Sequence, residues 1–421
     1  MGIVGMGIVV PRSEAREVEE ASGWVLVFGR RKTGKTFLLK NFVRHDYYFF
    51  VSRGGEVFES GDGGVRGLYY SVFLERLRAL LERDVTVVVD EFQRLPEDFL
   101  DFLHFAKSWS RARVVLVGSS LLVSRKVFSR RSPLLGLVVP VRVGLVRPVD
   151  VVAALSRRFD PFRSLVFSSL VRDPWILGLV ELGGGVREFV GRVVGAIRFS
   201  CRGLVGEIFL EEERELTERY EAVLRALADG FSTPSLVANY VSNVLGGRFK
   251  SQDVKKYLSN LLEMGVVERR RVYGKKRYIY GIESPLLDLF YFLDVRLGFY
   301  EVDLPRNLVV SKALERLPFY YEKLVVDLLA QILGARAEKA LRPELDGVLV
   351  RGNRVVAVVE VKFGDAKRED VYRFLAKTER FRCKKMFVSR SELGIGGVEY
   401  ITPEGLVELV REYSSKQATS T

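Results

Sequence analysis

The sequence predicts an α/β protein: a parallel sheet covered by helices, then a mostly helical middle, then a second α/β unit. Three observations predict it. Apolar runs of strand length alternate with amphipathic stretches through residues 1–145, the pattern of strands buried between helices. Strand signals fade after about residue 146. They return after Pro305, again separated by helical patterns.

Each element has its own reason. WVLVF (24–28) is a buried-strand run ending in a Gly-rich turn, and a helix follows from Lys35 to about Val43. YYFFVS (47–52), VTVVVDE (85–91) and RVVLVGSS (113–120) are further strands. Between them, residues 69–83 carry apolar positions at helical spacing and 96–109 form another helix. The opening MGIVGMGIVV reads as a leading strand or tail. Residues 149–230 are helical, broken at Asp160-Pro161, Asp173-Pro174 and Gly183–Gly185. Helices at 217–229 and 233–245 follow, and Ser251 caps a third running to about Met264. After Pro305 come a helix (310–333), GVLV, VVAVVEVKF, a helix (366–379), MFVS and a last helix (403–413). The expected units are a core at 1–145, a helical segment at 146–214, a third at 215–298 and a fourth at 299–413. The polar tail 414–421 is expected to be disordered.

The 421 residues suit two to four domains at roughly 100–200 residues each. A 48% hydrophobic content excludes whole-chain disorder, and no apolar run suits a membrane span. Two cysteines, Cys201 and Cys383, make no disulfide framework and read as unreactive packing residues; a cytoplasmic location is the default. The two histidines, His45 and His104, argue against a His-rich metal site. A formal charge of +13 points to an anionic partner, nucleic acid first. Four Gln and six Asn beside abundant Arg, Glu and Val resemble a thermophile composition.

Residues 29–36, Gly29-Arg30-Arg31-Lys32-Thr33-Gly34-Lys35-Thr36, match G-x-x-x-x-G-K-[ST] between a strand and a helix. The glycines let the loop wrap a phosphate, and its N–H groups and the helix N-terminus face the anion. Lys35 is expected to reach the β- and γ-phosphates of ATP and Thr36 to ligate Mg²⁺. Val87-Val88-Val89-Asp90-Glu91 supplies the second half: Asp90 would hold Mg²⁺ through water and Glu91 polarise the attacking water. Ser119, closing the next strand, either senses the γ-phosphate or caps a helix. Arg125, Arg130 and Arg131 are arginine-finger candidates, or a solvated basic face.

GRRKTGKT, VVVDEFQRLP and GSSLLVSRKVFSRRSPLLG together resemble the archaeal ATPase family of AAA+-related P-loop proteins. The resemblance implies a P-loop NTPase parallel sheet with a helical lid, a winged-helix domain and a C-terminal DUF234 domain of restriction-endonuclease-like α/β fold. Asp173-Pro174-Trp175-Ile176-Leu177 is similar to the family's Gly-x-Pro segment. The family's Pro-Leu-Tyr-Gly-Arg stretch appears as Pro133-Leu134-Leu135-Gly136-Leu137, without its arginine.

Within the expected winged helix, residues 248–277 hold ten basic side chains against three acids. Arg269, Arg270, Arg271, Lys275, Lys276 and Arg277 form a basic hairpin interleaved with Tyr278 and Tyr280, suited to DNA phosphates, or a solvated surface for a protein partner. Farther on, Asp346 precedes Glu360-Val361-Lys362 with the spacing Asp-x13-Glu-x-Lys, the PD-(D/E)xK nuclease pattern. Asp346 and Glu360 would bind Mg²⁺ and Lys362 activate water. Glu322 is a further carboxylate candidate, and Lys367 and Arg368 candidate phosphate contacts. Two functions are expected: a DNA-binding ATPase with a C-terminal nuclease site, or an ATP-dependent switch for a protein partner or a second copy, its nuclease-like domain inert. A small-molecule kinase leaves the hairpin and the C-terminal unit without a role. No membrane partner is expected.

Overall fold

The computed structural model describes residues 8–61, 64–118, 127, 132–212 and 214–419. A seven-stranded sheet occupies the N-terminal third: β1 (Trp24–Phe28), β2 (Tyr47–Val51), β3 (Val57–Gly61), β4 (Gly64–Leu68), β5 (Thr86–Asp90), β6 (Arg113–Gly118) and β7 (Val138–Arg142). Its order is β4-β3-β2-β5-β6-β1-β7. Strands β2, β5, β6, β1 and β7 run parallel, while β3 and β4 add an antiparallel edge. The sheet is therefore mixed rather than purely parallel. VFESG and GVRGL carry too few apolar residues to announce strands, and β4 is exposed along most of its length. Helices α1 (Ser13–Glu20) and α2 (Lys35–Phe42) cover one face; α3 (Tyr70–Leu81) and α4 (Asp98–Ala106) cover the other. Residues 8–12 form neither strand nor helix.

Helices α5 (Pro148–Leu155), α6 (Pro161–Val171) and α7 (Val186–Glu211) follow. Next come α8 (Glu218–Ala228), α9 (Pro234–Leu245) and α10 (Ser251–Glu263), then the antiparallel hairpin β8 (Val267–Arg271) and β9 (Tyr278–Ile282). Ser251 is the first helical residue of α10 and not its cap. Asp253 caps the helix instead by accepting from Lys250 N at 2.9 Å.

After α11 (Pro285–Leu297) and α12 (Arg306–Ile332), five strands form a second sheet in sequential order: β10 (Arg336–Leu341), β11 (Glu344–Arg351), β12 (Arg354–Val361), β13 (Lys384–Val388) and β14 (Glu399–Ile401). The first three are antiparallel and the last three parallel. Helices α12 and α14 (Pro403–Thr419) pack on one face and α13 (Arg368–Lys377) on the other. Helix α14 runs to Thr419, so the tail expected to be disordered is helical through that residue. One hydrophobic cluster runs from α5 through α12 into one face of this sheet, with α12 packed against α5, α6 and α7.

Candidate functional site

The phosphate loop leaves β1 and enters α2 at Lys35. Because β6 lies between β1 and β5, the loop and the end of β5 face each other across one strand. Gly29 is required by space, since a Cβ there would sit 2.0 Å from the Val143 carbonyl oxygen. Gly34 has φ +86° at the helix start, where glycine avoids left-handed strain. Lys32 is left-handed too. Thr33 Oγ1 donates to Arg30 O at 2.8 Å, and Lys35 Nζ to Gly29 O at 2.9 Å and Arg30 O at 3.1 Å. Burial lowers the Lys35 pKa to about 8, with Glu91 and Asp90 opposing that fall.

Asp90 is fully buried at the end of β5. Its Oδ2 accepts from Thr36 Oγ1 at 2.7 Å and from Tyr48 Oη. Among the described residues, its buried Oδ1 has no hydrogen-bond partner. A hydroxyl and a carboxylate oxygen beside a phosphate loop fit a magnesium ion. Glu91 is left-handed at φ 61° and is met by Gln93 Nε2 at 2.6 Å and Arg94 at 3.2 Å.

The loop's arginine side chains are committed elsewhere. Arg30 pairs with Asp173 at 2.6 Å, both almost fully buried. Arg31 pairs with Glu207 at 2.7 Å and Glu211 at 2.5 Å on the last turns of α7. Glu211 also meets Arg94, so one helix end touches both the loop and the Glu91 neighbourhood. Pro174 lies 3.4 Å from where a Gly34 Cβ would stand. Arg12 braces the loop from before α1, donating to Thr33 O at 2.5 Å and Gly144 O at 3.0 Å. Sequence reasoning missed Arg12, Tyr48, Arg94 and Glu211, whose surroundings carry no local motif. Ser119, Arg125, Arg130 and Arg131 lie outside the described residues.

In the basic hairpin, Arg269, Arg271, Lys275, Lys276 and Arg277 are exposed, with Arg269 over the Tyr278 ring at 4.6 Å. Arg270 departs from the expected DNA-facing role. It binds both oxygens of Asp327 on α12 at 2.8 and 2.9 Å and meets Glu268 at 3.4 Å. Strand alternation turns it inward between two exposed neighbours. Burial works against the Glu268 carboxylate, yet Lys323 and Arg270 hold it at about 2.

The C-terminal carboxylates do converge. The β11–β12 register, with Gly347 opposite Val359, sets Asp346 opposite Glu360. Asp346 Oδ2 accepts from Val361 N at 2.8 Å, and Lys362 Nζ reaches Glu360 at 3.1 Å. Glu322 on α12 joins them through Lys339, whose Nζ lies 3.1 Å from Glu322 and 3.8 Å from Asp346. Burial, and then the Asp346 charge, push both Glu322 and Glu360 upward. Glu322, Lys339 and Asp346 line part of a cavity of about 230 Å³ whose other walls come mainly from the hairpin and α12. Lys339 sits at a β-bulge in β10, a feature no spacing rule signals. The arrangement does not fit the metal expected on Asp346 and Glu360. Lys339, a lysine outside the motif, faces Asp346, and among the described residues no group of three His, Cys, Asp or Glu is placed to hold a metal. Lys367 and Arg368 are exposed at the start of α13. Cys201 is buried, and burial drives its thiol well up.

Residues 21–134, which carry the phosphate loop and Asp90–Glu91, match the family described as an AAA domain. Over 400 residues the chain is 21% identical to an uncharacterized protein of Methanocaldococcus jannaschii, covering 83% of this chain and 84% of that one. A Walker-type ATPase of Pyrococcus abyssi aligns at 19% identity with a TM-score of 0.47, covering 67% of this chain and 96% of that structure. The ORC2 protein of Aeropyrum pernix aligns at 13% identity with a TM-score of 0.38, covering 72% and 92%. By the family match and the loop geometry, residues 21–134 are similar to an AAA-type P-loop domain. Among the described residues no helix is long and apolar enough to cross a membrane.

Proposed function

We propose that this protein is a Mg²⁺-dependent ATPase that binds DNA. The observation that carries the reading is the meeting of Lys35, Thr36, Asp90 and Glu91 around one glycine-bound loop. Lys35 gives up its loop carbonyls for the β- and γ-phosphates. Thr36 and Asp90 hold the magnesium ion, which supplies charge neutralisation on the phosphates when bound. Glu91 orients the attacking water, released from Gln93 and Arg94 to do so. The Arg30–Asp173 and Arg31–Glu211 pairs then carry loop movements into the helices beyond.

The middle of the chain supports a winged-helix reading: three helices and a hairpin whose exposed Arg269, Arg271, Lys275, Lys276 and Arg277 suit phosphates. The domain limits at 146, 215 and 299 belong to the same proposal. Asp346, Glu360 and Lys362 come together in a nuclease-like unit; with no metal fitted there, whether that unit cuts or only binds DNA is what a cleavage assay decides. A second reading, a nucleotide-gated switch with an inert C-terminal unit, is favoured by Lys339, which faces Glu322 and Asp346.

Purified wild-type protein should hydrolyse Mg·ATP and the Lys35→Ala variant should not; equal turnover by the variant overturns the ATPase reading. Plasmid and linear DNA incubated with wild type and Lys362→Ala, with Mg²⁺ or Mn²⁺ and with or without ATP, separates the rest. Cleavage by wild type alone supports a nuclease; DNA retained without cleavage points to an ATP-gated binding protein with a scaffold C-terminal unit, and slow hydrolysis unaffected by DNA favours the switch.

A further inference from the structure

The hairpin does not project freely into solvent. Val272, fully buried beyond the end of β8, bridges Lys339 of β10 in parallel, and Tyr273 N donates to Lys339 O at 3.0 Å. The Tyr273 ring packs on Phe381, centroids 5.6 Å apart. Because the two segments run parallel through Val272 and Lys339, they turn on the same side of the molecule. Lys275, Lys276 and Arg277 follow Val272; Arg342 follows Lys339. Arg380 joins the same group, since its guanidinium donates to Arg342 O at 3.3 Å and lies 5.4 Å from the Phe381 ring. All five cations are exposed. The exposed acids adjoining them in the chain are Glu344 and Glu379, so the group keeps a positive excess.

We infer that the hairpin tip and the β10–β11 turn form one surface for duplex DNA, with Arg342 and Arg380 contacting phosphates beyond those the hairpin reaches. This rests on the DNA-binding reading above. Repeating phosphates ask for charge spread along a line, and two turns fixed side by side supply it. Lys339 links the surface to the acids: its backbone holds the hairpin, and its side chain holds Glu322 and Asp346. Bound DNA therefore lies beside the carboxylate cavity.

The test is fluorescence anisotropy of a labelled 30-bp duplex with the full chain over a series of salt concentrations. Arg342→Glu/Arg380→Glu should weaken binding by about tenfold or more, and Arg342→Gln/Arg380→Gln should flatten the salt dependence by about two units of log–log slope. Lys275→Glu/Lys276→Glu/Arg277→Glu should weaken binding as well. Unchanged melting temperatures confirm that the variants fold. If only the hairpin variant loses affinity, the shared surface is wrong and DNA binding by the hairpin stands. If neither variant changes affinity, or the wild type binds an acidic protein but no duplex, both readings fall.

Discussion

Lys35 is buried against its own loop carbonyls, with a pKa lowered to about 8. Desolvation is the largest cause; Glu91, Asp90 and Glu211 pull the other way and Arg30 adds to the fall. A nucleotide polyphosphate reverses the balance, because the ammonium then meets several negative oxygens. Binding ATP must therefore draw in a proton wherever the free protein has lost one. With a pKa of about 8, the free lysine is roughly nine-tenths protonated at pH 7, about a quarter at pH 8.5 and about a tenth at pH 9. The expected uptake is thus ~0.1 proton at pH 7 and ~0.75 at pH 8.5, and affinity should fall about tenfold from pH 7 to 9. Isothermal titration calorimetry in buffers of different ionisation enthalpy measures the uptake directly. Lys35→Arg, whose side chain stays charged, is the control and should show almost none at pH 8.5. An uptake below ~0.2 proton at pH 8.5 in the wild type would refute the argument that burial neutralises this lysine. Stability of the ligand-free chain carries the same sign. The unfolded lysine holds its proton up to its usual pKa of 10.5, so stability should rise between about pH 8 and 10.5, by up to ~3 kcal/mol.

Asp173→Ala leaves the Arg30 charge buried and unpaired, so it should cost about 3–5 kcal/mol and lower the melting temperature measurably in calorimetry. Arg30→Met/Asp173→Leu removes both charges and should recover most of that loss; no recovery would show that the pair is not the cause. Arg270→Ala strands Asp327 and Glu268 beside Lys323 and Arg172. It should lower thermal stability by about 2–4 kcal/mol, whereas Lys276→Ala should leave the melting curve in place. Gly347→Ala puts a methyl 2.8 Å from Val326 Cγ1 on α12 and should cost about 1–3 kcal/mol by denaturant unfolding.

The phosphate loop was legible because its function is written in consecutive residues: a backbone that must wrap an anion needs glycines at fixed spacing, and the flanking strand and helix announce themselves by apolar period. Asp90–Glu91 was legible as the polar end of a run of valines. The pairing of Asp346 with Glu360 was legible too, since spacing across a hairpin sets register. The antiparallel edge β3–β4 was not, because its Gly-rich, polar strands bury too little to leave a pattern.

The sequence by itself determined where each chemical group enters the chain and the α/β character of both ends, because period and motif are local properties. Only the tertiary structure decided what those groups face. Six hairpin cations look alike in sequence, yet strand alternation and Asp327 turn Arg270 inward while its neighbours stay in water. Arg30 and Arg31 look like phosphate ligands, yet Asp173, Glu207 and Glu211, more than a hundred residues away, claim their side chains. A bulge places Lys339 among the carboxylates and docks the hairpin on its backbone. Charge is fixed by residue type, but its partner is fixed by packing between distant segments, and no local pattern carries that information.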